Sequence, residues 1–313
     1  MKHRRSLSLV AAVALAGTVV SVRRNRRPRA GLPAPESLVV TPGYRDGTGT
    51  PLLLLHGVGG NWRVWSPVLP HLEEHHDVIA PTLLGHGGAA RFPVGVEPSI
   101  EALADGLEEA LDEAGIAEVH VVGNSLGGWV ALELARRGRA RSVVVFSPAG
   151  AWRSQWRISS RATGIRVSVG LISRCAAHAD ALSALAWVRW LMLSTQVAYP
   201  MRVQPALLAA DIRASGDAPG VVPLLRAIPK RQIDGLPADR SFPIRVVWAA
   251  SDRVLPFKHF GAPMLDLLPG AEIIHQKGTG HIPMSDDPIA VARLILEVTQ
   301  AVDHVNIPTA VNG

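Results

Sequence analysis

The sequence holds a single cysteine, Cys175, which excludes an internal disulfide framework and any zinc site built from several thiolates. Only 5% of its 313 residues are aromatic and 19% are charged, against 48% hydrophobic, so a disordered polymer is excluded. No collagen-like period, heptad pattern, internal repeat or low-complexity tract is present. The formal net charge of +6 first suggests a nucleic-acid partner, but its placement removes that reading. Residues 1–31 carry eight basic side chains and no acid, and from Leu32 onward 26 acidic side chains face 24 basic ones. The length suits one large α/β domain or two modest ones, with a sizeable core.

What is present begins with a basic and apolar leader, residues 1–31. A basic start, an apolar run from Leu7 to Val22 and the small residues Ala14-Leu15-Ala16 fit a secretory signal, and Arg4-Arg5 hints at a twin-arginine one. The same run is short for a spanning helix, and five arginines follow it against three basic residues before it. That charge bias would hold the body in the cytoplasm. Three readings stay open: a membrane anchor with a cytoplasmic body, a dispensable leader on a cytoplasmic protein, and export.

Beyond the linker Gly31–Pro35, apolar runs alternate with helical stretches. Leu52–Leu55, Asp77–Ala80, Val119–Gly123, Ser142–Phe146, Ile244–Ala249 and Ala271–His275 read as strands. Ser99–Ala114, Leu126–Arg137, Phe257–Leu268 and Asp287–Val302 read as helices, with Ser99 as an N-cap. Strand–helix alternation predicts a doubly wound, mostly parallel α/β sheet. About ninety residues separate two consecutive strands between Ala151 and Ser241, far more than a crossover helix needs. This interval is helix-rich, with Ala176–Leu193 reading as one apolar helix, and it carries Trp152, Trp156, Trp187 and Trp190. Its 12 basic and 5 acidic residues face an acidic remainder, an opposition read either as ties between an inserted element and its core or as a preference for anionic substrates. The partition is therefore a leader (1–31), a core (32–150 and 241–302), a helical cap (151–240) inserted after the sixth strand, and a tail (303–313). The cap tryptophans are read either as its core or as the lining of an acyl or aromatic pocket, and Cys175 as buried.

Gly123-Asn124-Ser125-Leu126-Gly127 matches G-x-S-x-G directly after a strand and at the start of a helix. A turn this tight leaves no room for side chains on the flanking positions, which accounts for both glycines. It presents Ser125 at the carboxyl edge of the sheet, where the Leu126 N–H and the helix dipole face a developing oxyanion. A serine hydroxyl needs a base and an orienting acid. His281, in the glycine-rich Gly278-Thr279-Gly280 loop after the last strand, is the candidate base. His71, His75 and His76 sit among charges and are expected to be solvated. Asp252 follows a strand end and lies between serine and histidine in chain order, as this architecture requires. The second oxyanion donor is the Val58 N–H in His56-Gly57-Val58-Gly59-Gly60, with His56 as a structural residue of that loop.

Taken together, H-G-x-G-G (56–60), G-H-G-G (85–88), G-N-S-L-G-G (123–128), Asp252-x-x-x-Pro256 and G-x-G-H-x-P (278–283) resemble the α/β-hydrolase superfamily. The likeness runs from about Val39 to Val302 and is nearest the bacterial cap-bearing branch of esterases, perhydrolases and ring-cleavage-product hydrolases. It implies a Ser125–His281–Asp252 triad, acyl transfer to water, a small-molecule substrate, and neither cofactor nor metal. Thr82 stands where the family usually has aspartate, and Ile282 where the ring-cleavage enzymes often have tryptophan. Epoxide hydrolases and dehalogenases of this fold use an aspartate nucleophile, which Ser125 argues against. The expected function is a serine hydrolase of an ester or similar carbonyl. The alternatives are C–C bond hydrolysis of ring-cleavage products, cofactor-free perhydrolase action, and a non-catalytic ligand receptor.

Overall fold

Seven strands make one sheet in the order β1-β3-β2-β4-β5-β6-β7, in a computed structural model that describes residues 43–305. They are β1 (Gly43–Asp46), β2 (Thr50–Leu55), β3 (His76–Pro81), β4 (Val119–Asn124), β5 (Ala140–Phe146), β6 (Ile244–Ala249) and β7 (Glu272–Gln276). Every neighbouring pair is parallel except β1 with β3. The antiparallel edge strand β1 is absent from the sequence expectation, because its four residues, Gly-Tyr-Arg-Asp, carry no apolar run. The helices are α1 (Leu69–Leu72), α2 (Ile100–Glu113), α3 (Leu126–Arg136), α4 (Gln155–Ser173), α5 (Ala179–Ala184), α6 (Ala186–Leu193), α7 (Pro205–Gly216), α8 (Val221–Ala227), α9 (Phe257–Leu267), α10 (Pro283–Asp286) and α11 (Pro288–Val305). The leader lies outside the described residues, and none of the described helices is long and apolar enough to cross a membrane.

Strand alternation sorts the core into two layers. Leu53, Leu55, Val121, Val143 and Val145 face α2, α3 and α9, while Leu52, Leu54, Val122, Val144 and Phe146 face α1 and α11. Both faces are apolar, as a sheet covered on both sides requires. Ser99 caps α2 as its sequence position suggests, accepting from the Ala102 N–H at 3.1 Å. The chain passes from β2 to β3 on one side and continues at β4 on the other, so the topological switch point lies at the carboxyl ends of β2 and β4. In doubly wound sheets such a switch point is where ligands bind.

Between β5 and β6 the chain runs through the helices α4 to α8. Five strands of the described residues precede this insertion, where the sequence reading counts six. The single helix expected over 176–193 is broken. Leu185 is extended, with ψ 117°, and the Arg189 guanidinium takes the freed Ser183 and Ala184 carbonyls at 2.8 and 3.0 Å. Trp152 is buried beside Trp129, whereas Trp156, Trp187 and Trp190 are exposed and so form neither an insertion core nor an enclosed pocket. Cys175 is half-buried rather than buried. Two exposed ion pairs, Arg153–Asp266 at 2.8 Å and Arg231–Glu101 at 2.6 Å, tie the basic insertion to the acidic core.

The amino-terminal edge of the sheet corrects a further expectation, that His76 is solvated. His76 is buried, because the alternation of β3 turns it inward, and it bonds Thr50 Oγ1 at 2.9 Å and Thr299 Oγ1 at 2.8 Å. His120 joins it, bonding Ser142 Oγ at 2.7 Å and Asp303 Oδ1 at 3.1 Å. Asp303 also takes Thr50 and Arg141, which is why α11 continues to Val305 into the segment expected to be tail.

Burial holds His76 and His86 down to about 4 and His56 to about 3, and lowers His120 as well. The unfolded chain takes up these protons near pH 6.5, while the folded chain refuses them until about pH 4, so stability is present above 6.5 and lost on acidification. Burial raises Asp211 to about 6, which works in the opposite sense for one group against four. The melting temperature is therefore expected to fall steeply between pH 6.5 and 4. A flat profile over that window, measured by thermal scans in buffers of matched ionic strength, would contradict this assignment.

Candidate active site

Ser125 lies between β4 and α3 with φ +56° and ψ −114°, a left-handed strained conformation for a residue with a Cβ. The glycines around it are forced by contact. A Cβ on Gly123 would stand 2.2 Å from the Gly127 carbonyl oxygen, and one on Gly127 would stand 2.2 Å from the Leu55 oxygen. The tight packing of α3 against the ends of β2 and β4 thus holds Ser125 at the switch point.

The His56–Gly60 loop leaves β2 directly beside this turn, since Leu55 pairs with Gly123. A Cβ on Gly57 would sit 3.3 Å from the Ser125 Cβ, so the loop leans on the serine. Its shape is fixed by His56, which bonds the Gly57 carbonyl through Nδ1 at 2.8 Å and accepts the Leu83 N–H on Nε2 at 2.9 Å. Those partners define the neutral Nδ1–H tautomer and make His56 a brace. The Val58 N–H belongs to this loop, and the Leu126 N–H is the first of α3. Neither is taken by a backbone acceptor among the described residues. Thr82, standing where the family usually has aspartate, is buried with its Oγ1 3.5 Å from the Trp62 nitrogen.

His281 and Asp252 come together from loops after β7 and β6. His281 Nδ1 stands 2.7 Å from Asp252 Oδ2, with both side chains buried. The other carboxylate oxygen, Oδ1, accepts the Val254 and Leu255 N–H groups at 2.8 and 2.7 Å, which leaves Oδ2 for the imidazole. Asn124, the residue before Ser125, donates Nδ2 to the His281 carbonyl at 2.9 Å and to the Phe146 carbonyl at 3.0 Å. That contact fixes the His281 loop against the serine turn. Ser125, His281 and Asp252 are all buried, and the Asn124 contact joins the His281 loop to the serine turn. Among the described residues no group of three or more His, Cys, Asp or Glu is placed to hold a metal ion.

Sequence reasoning missed two acids here. Asp211, on α7, reaches back to the end of the loop after β2 and accepts Asn61 Nδ2 at 2.9 Å. Asp286 accepts the Gly280 N–H at 2.8 Å, one residue before the histidine. The insertion covers both loops. A Cβ on Gly59 would meet Val169 Cγ2 at 3.6 Å, and one on Gly280 would meet the Gln196 carbonyl oxygen at 2.8 Å.

Comparison with known proteins agrees with this layout. The chain is similar to Epoxide hydrolase EphH of Mycobacterium tuberculosis, 36% identical over 202 residues that cover 63% of this chain and 93% of that one. Its fold resembles a thermophilic esterase from Thermogutta terrifontis, with TM-score 0.64, 22% identity, and 83% and 93% of the two chains covered. It also resembles the meta-cleavage product hydrolase CumD of Pseudomonas fluorescens, with TM-score 0.63, 20% identity, and 83% and 93% covered. The family model described as "Alpha/beta hydrolase family" matches residues 52–294, from the second strand of the sheet into its last helix. On that match, and on a sheet whose switch point carries the strained serine, the chain belongs to the alpha/beta hydrolase family.

Proposed function

We propose that this hydrolase is a serine enzyme that cleaves an ester or a similarly activated carbonyl of a small molecule through an acyl-enzyme. The observation that carries the reading is the 2.7 Å contact of His281 with Asp252, on a loop that Asn124 pins beside Ser125. Ser125 Oγ attacks the carbonyl carbon while His281 Nε2 takes its proton. The tetrahedral oxyanion faces the Val58 and Leu126 N–H groups. Its collapse breaks the bond to the leaving alkoxide, which receives the proton from His281. Water, deprotonated by the same imidazole, then releases the acid and restores Ser125. Asp252 holds the proton of His281 on Nδ1 throughout, so that Nε2 is free to accept. The helical insertion acts as a cap that shields this chemistry from bulk water.

Ser125 sets ester cleavage ahead of epoxide opening, because the family resemblance ties epoxide chemistry to an aspartate at the position Ser125 holds. The test is one purified sample assayed with p-nitrophenyl acetate and butyrate, an aryl epoxide, and a ring-cleavage dienoate. Turnover of the nitrophenyl esters with no diol from the epoxide is the expected result. Diol formation without ester turnover would overturn the reading, and turnover of the dienoate alone would move it to C–C hydrolysis.

A further inference from the structure

Asp286 takes no part in the steps above, yet its carboxylate is the point where the insertion meets the histidine loop. The side chain is buried. Oδ1 accepts the Ala198 and Tyr199 N–H groups, both at 3.0 Å, and Oδ2 accepts Ala198 at 2.9 Å and Gly280 at 2.8 Å. Burying a carboxylate is costly, and here the cost is offset by backbone amides of two separate segments. Ala198 and Tyr199 lie in the insertion, 88 and 87 residues away in sequence, while Gly280 immediately precedes His281.

A second contact runs alongside, since the Ile282 N–H donates to the Gln196 carbonyl at 2.9 Å. His281 is thereby bracketed on three backbone groups. The amide before it is held by Asp286, its own carbonyl by Asn124, and the amide after it by Gln196. With the main chain fixed at each step, the imidazole has one orientation in which Nδ1 meets Asp252.

We propose that Asp286 is a positioning residue, which clasps the 196–199 segment of the insertion to the His281 loop and so sets the imidazole for proton transfer. The proposal rests on the serine-hydrolase reading. The general base must be held within a fraction of an ångström, and a displacement of about 1 Å costs on the order of 10²-fold in rate. Asp286→Asn tests the clasp with almost no change in volume. An amide has one acceptor, which serves best on the side of the two amides Ala198 and Tyr199. Its NH₂ then opposes the Gly280 N–H, and the loop carrying His281 is released.

The measurement pairs hydrolysis of p-nitrophenyl butyrate with active-site titration by a fluorophosphonate. For Asp286→Asn the expected result is a full titre, a KM within threefold of wild type, and a kcat per titrated site lowered about 10²-fold. Asp286→Glu keeps both acceptors and is expected to recover part of that loss. A kcat per titrated site equal to wild type would overturn the proposal, whether or not the titre falls, because Asp286 would then support folding alone. If Asp286→Asn does not fold, Asp286→Glu is judged by the same criterion, a lowered kcat per site at full titre supporting the clasp. Ser125→Ala, run in parallel, separates the two ideas. If it still labels and turns over, the serine-hydrolase reading fails; if it does not, an unchanged Asp286 series overturns the clasp by itself.

Discussion

Ser125→Ala is expected to lower turnover of a nitrophenyl ester about 10⁶-fold, equivalent to about 8 kcal/mol of transition-state stabilisation. The size follows from what the hydroxyl does. Without it no acyl-enzyme forms, and the remaining groups can only assist direct attack by water from the two oxyanion amides and the bound geometry. Stability should hardly change, since the Ser125 side chain makes no capping bond to the helix it opens, and alanine inherits the same backbone strain. Steady-state kinetics on protein freed of trace wild type check this. A variant retaining more than a few per cent of turnover at an unaltered melting temperature would remove Ser125 as nucleophile.

Asp252→Asn should fold normally and lose about 10⁴-fold in turnover. The reason lies in how the carboxylate is divided. Oδ1 is committed to the Val254 and Leu255 amides, and Oδ2 alone meets His281 Nδ1 at 2.7 Å. The amide oxygen of asparagine must serve the two backbone donors, which turns its NH₂ toward Nδ1. The imidazole then becomes an acceptor on Nδ1 and carries its proton on Nε2, where it can no longer take one from Ser125. Turnover near wild type would show that a different acid orients the base.

Much of this was legible in the sequence, for identifiable reasons. The buried strands show as apolar runs bounded by proline and glycine, and the serine turn shows because Gly123 and Gly127 have no room for a Cβ. Asp252 and His281 could be placed because each follows a strand that ends at the same edge of the sheet. The failures have equally local causes. His76, in the run His75-His76-Asp77, looks solvated until the pleat of β3 turns it toward Thr299, 223 residues away. Leu185 breaks a helix that composition alone favours, because Arg189 offers its carbonyls another partner. The role of Asp286 was hidden for the same reason. It sits beside Asp287, and contacts with distant segments, Ala198 and Tyr199 of the insertion and Gly280 of the histidine loop, distinguish the two.

The central claim is that Ser125 alone is activated as a nucleophile, and covalent labelling tests it most directly. The full chain, treated with a fluorophosphonate, should gain the mass of one adduct, and peptide mapping should place it on Ser125. The nearby hydroxyls make the outcome discriminating. Ser147 also has positive φ, at +41°, but its Oγ accepts the Ala249 N–H at 3.3 Å, and Ser251 immediately precedes Asp252. An adduct on Ser147 or Ser251, or hydrolysis of the ester by a chain that takes up no label, would contradict the account.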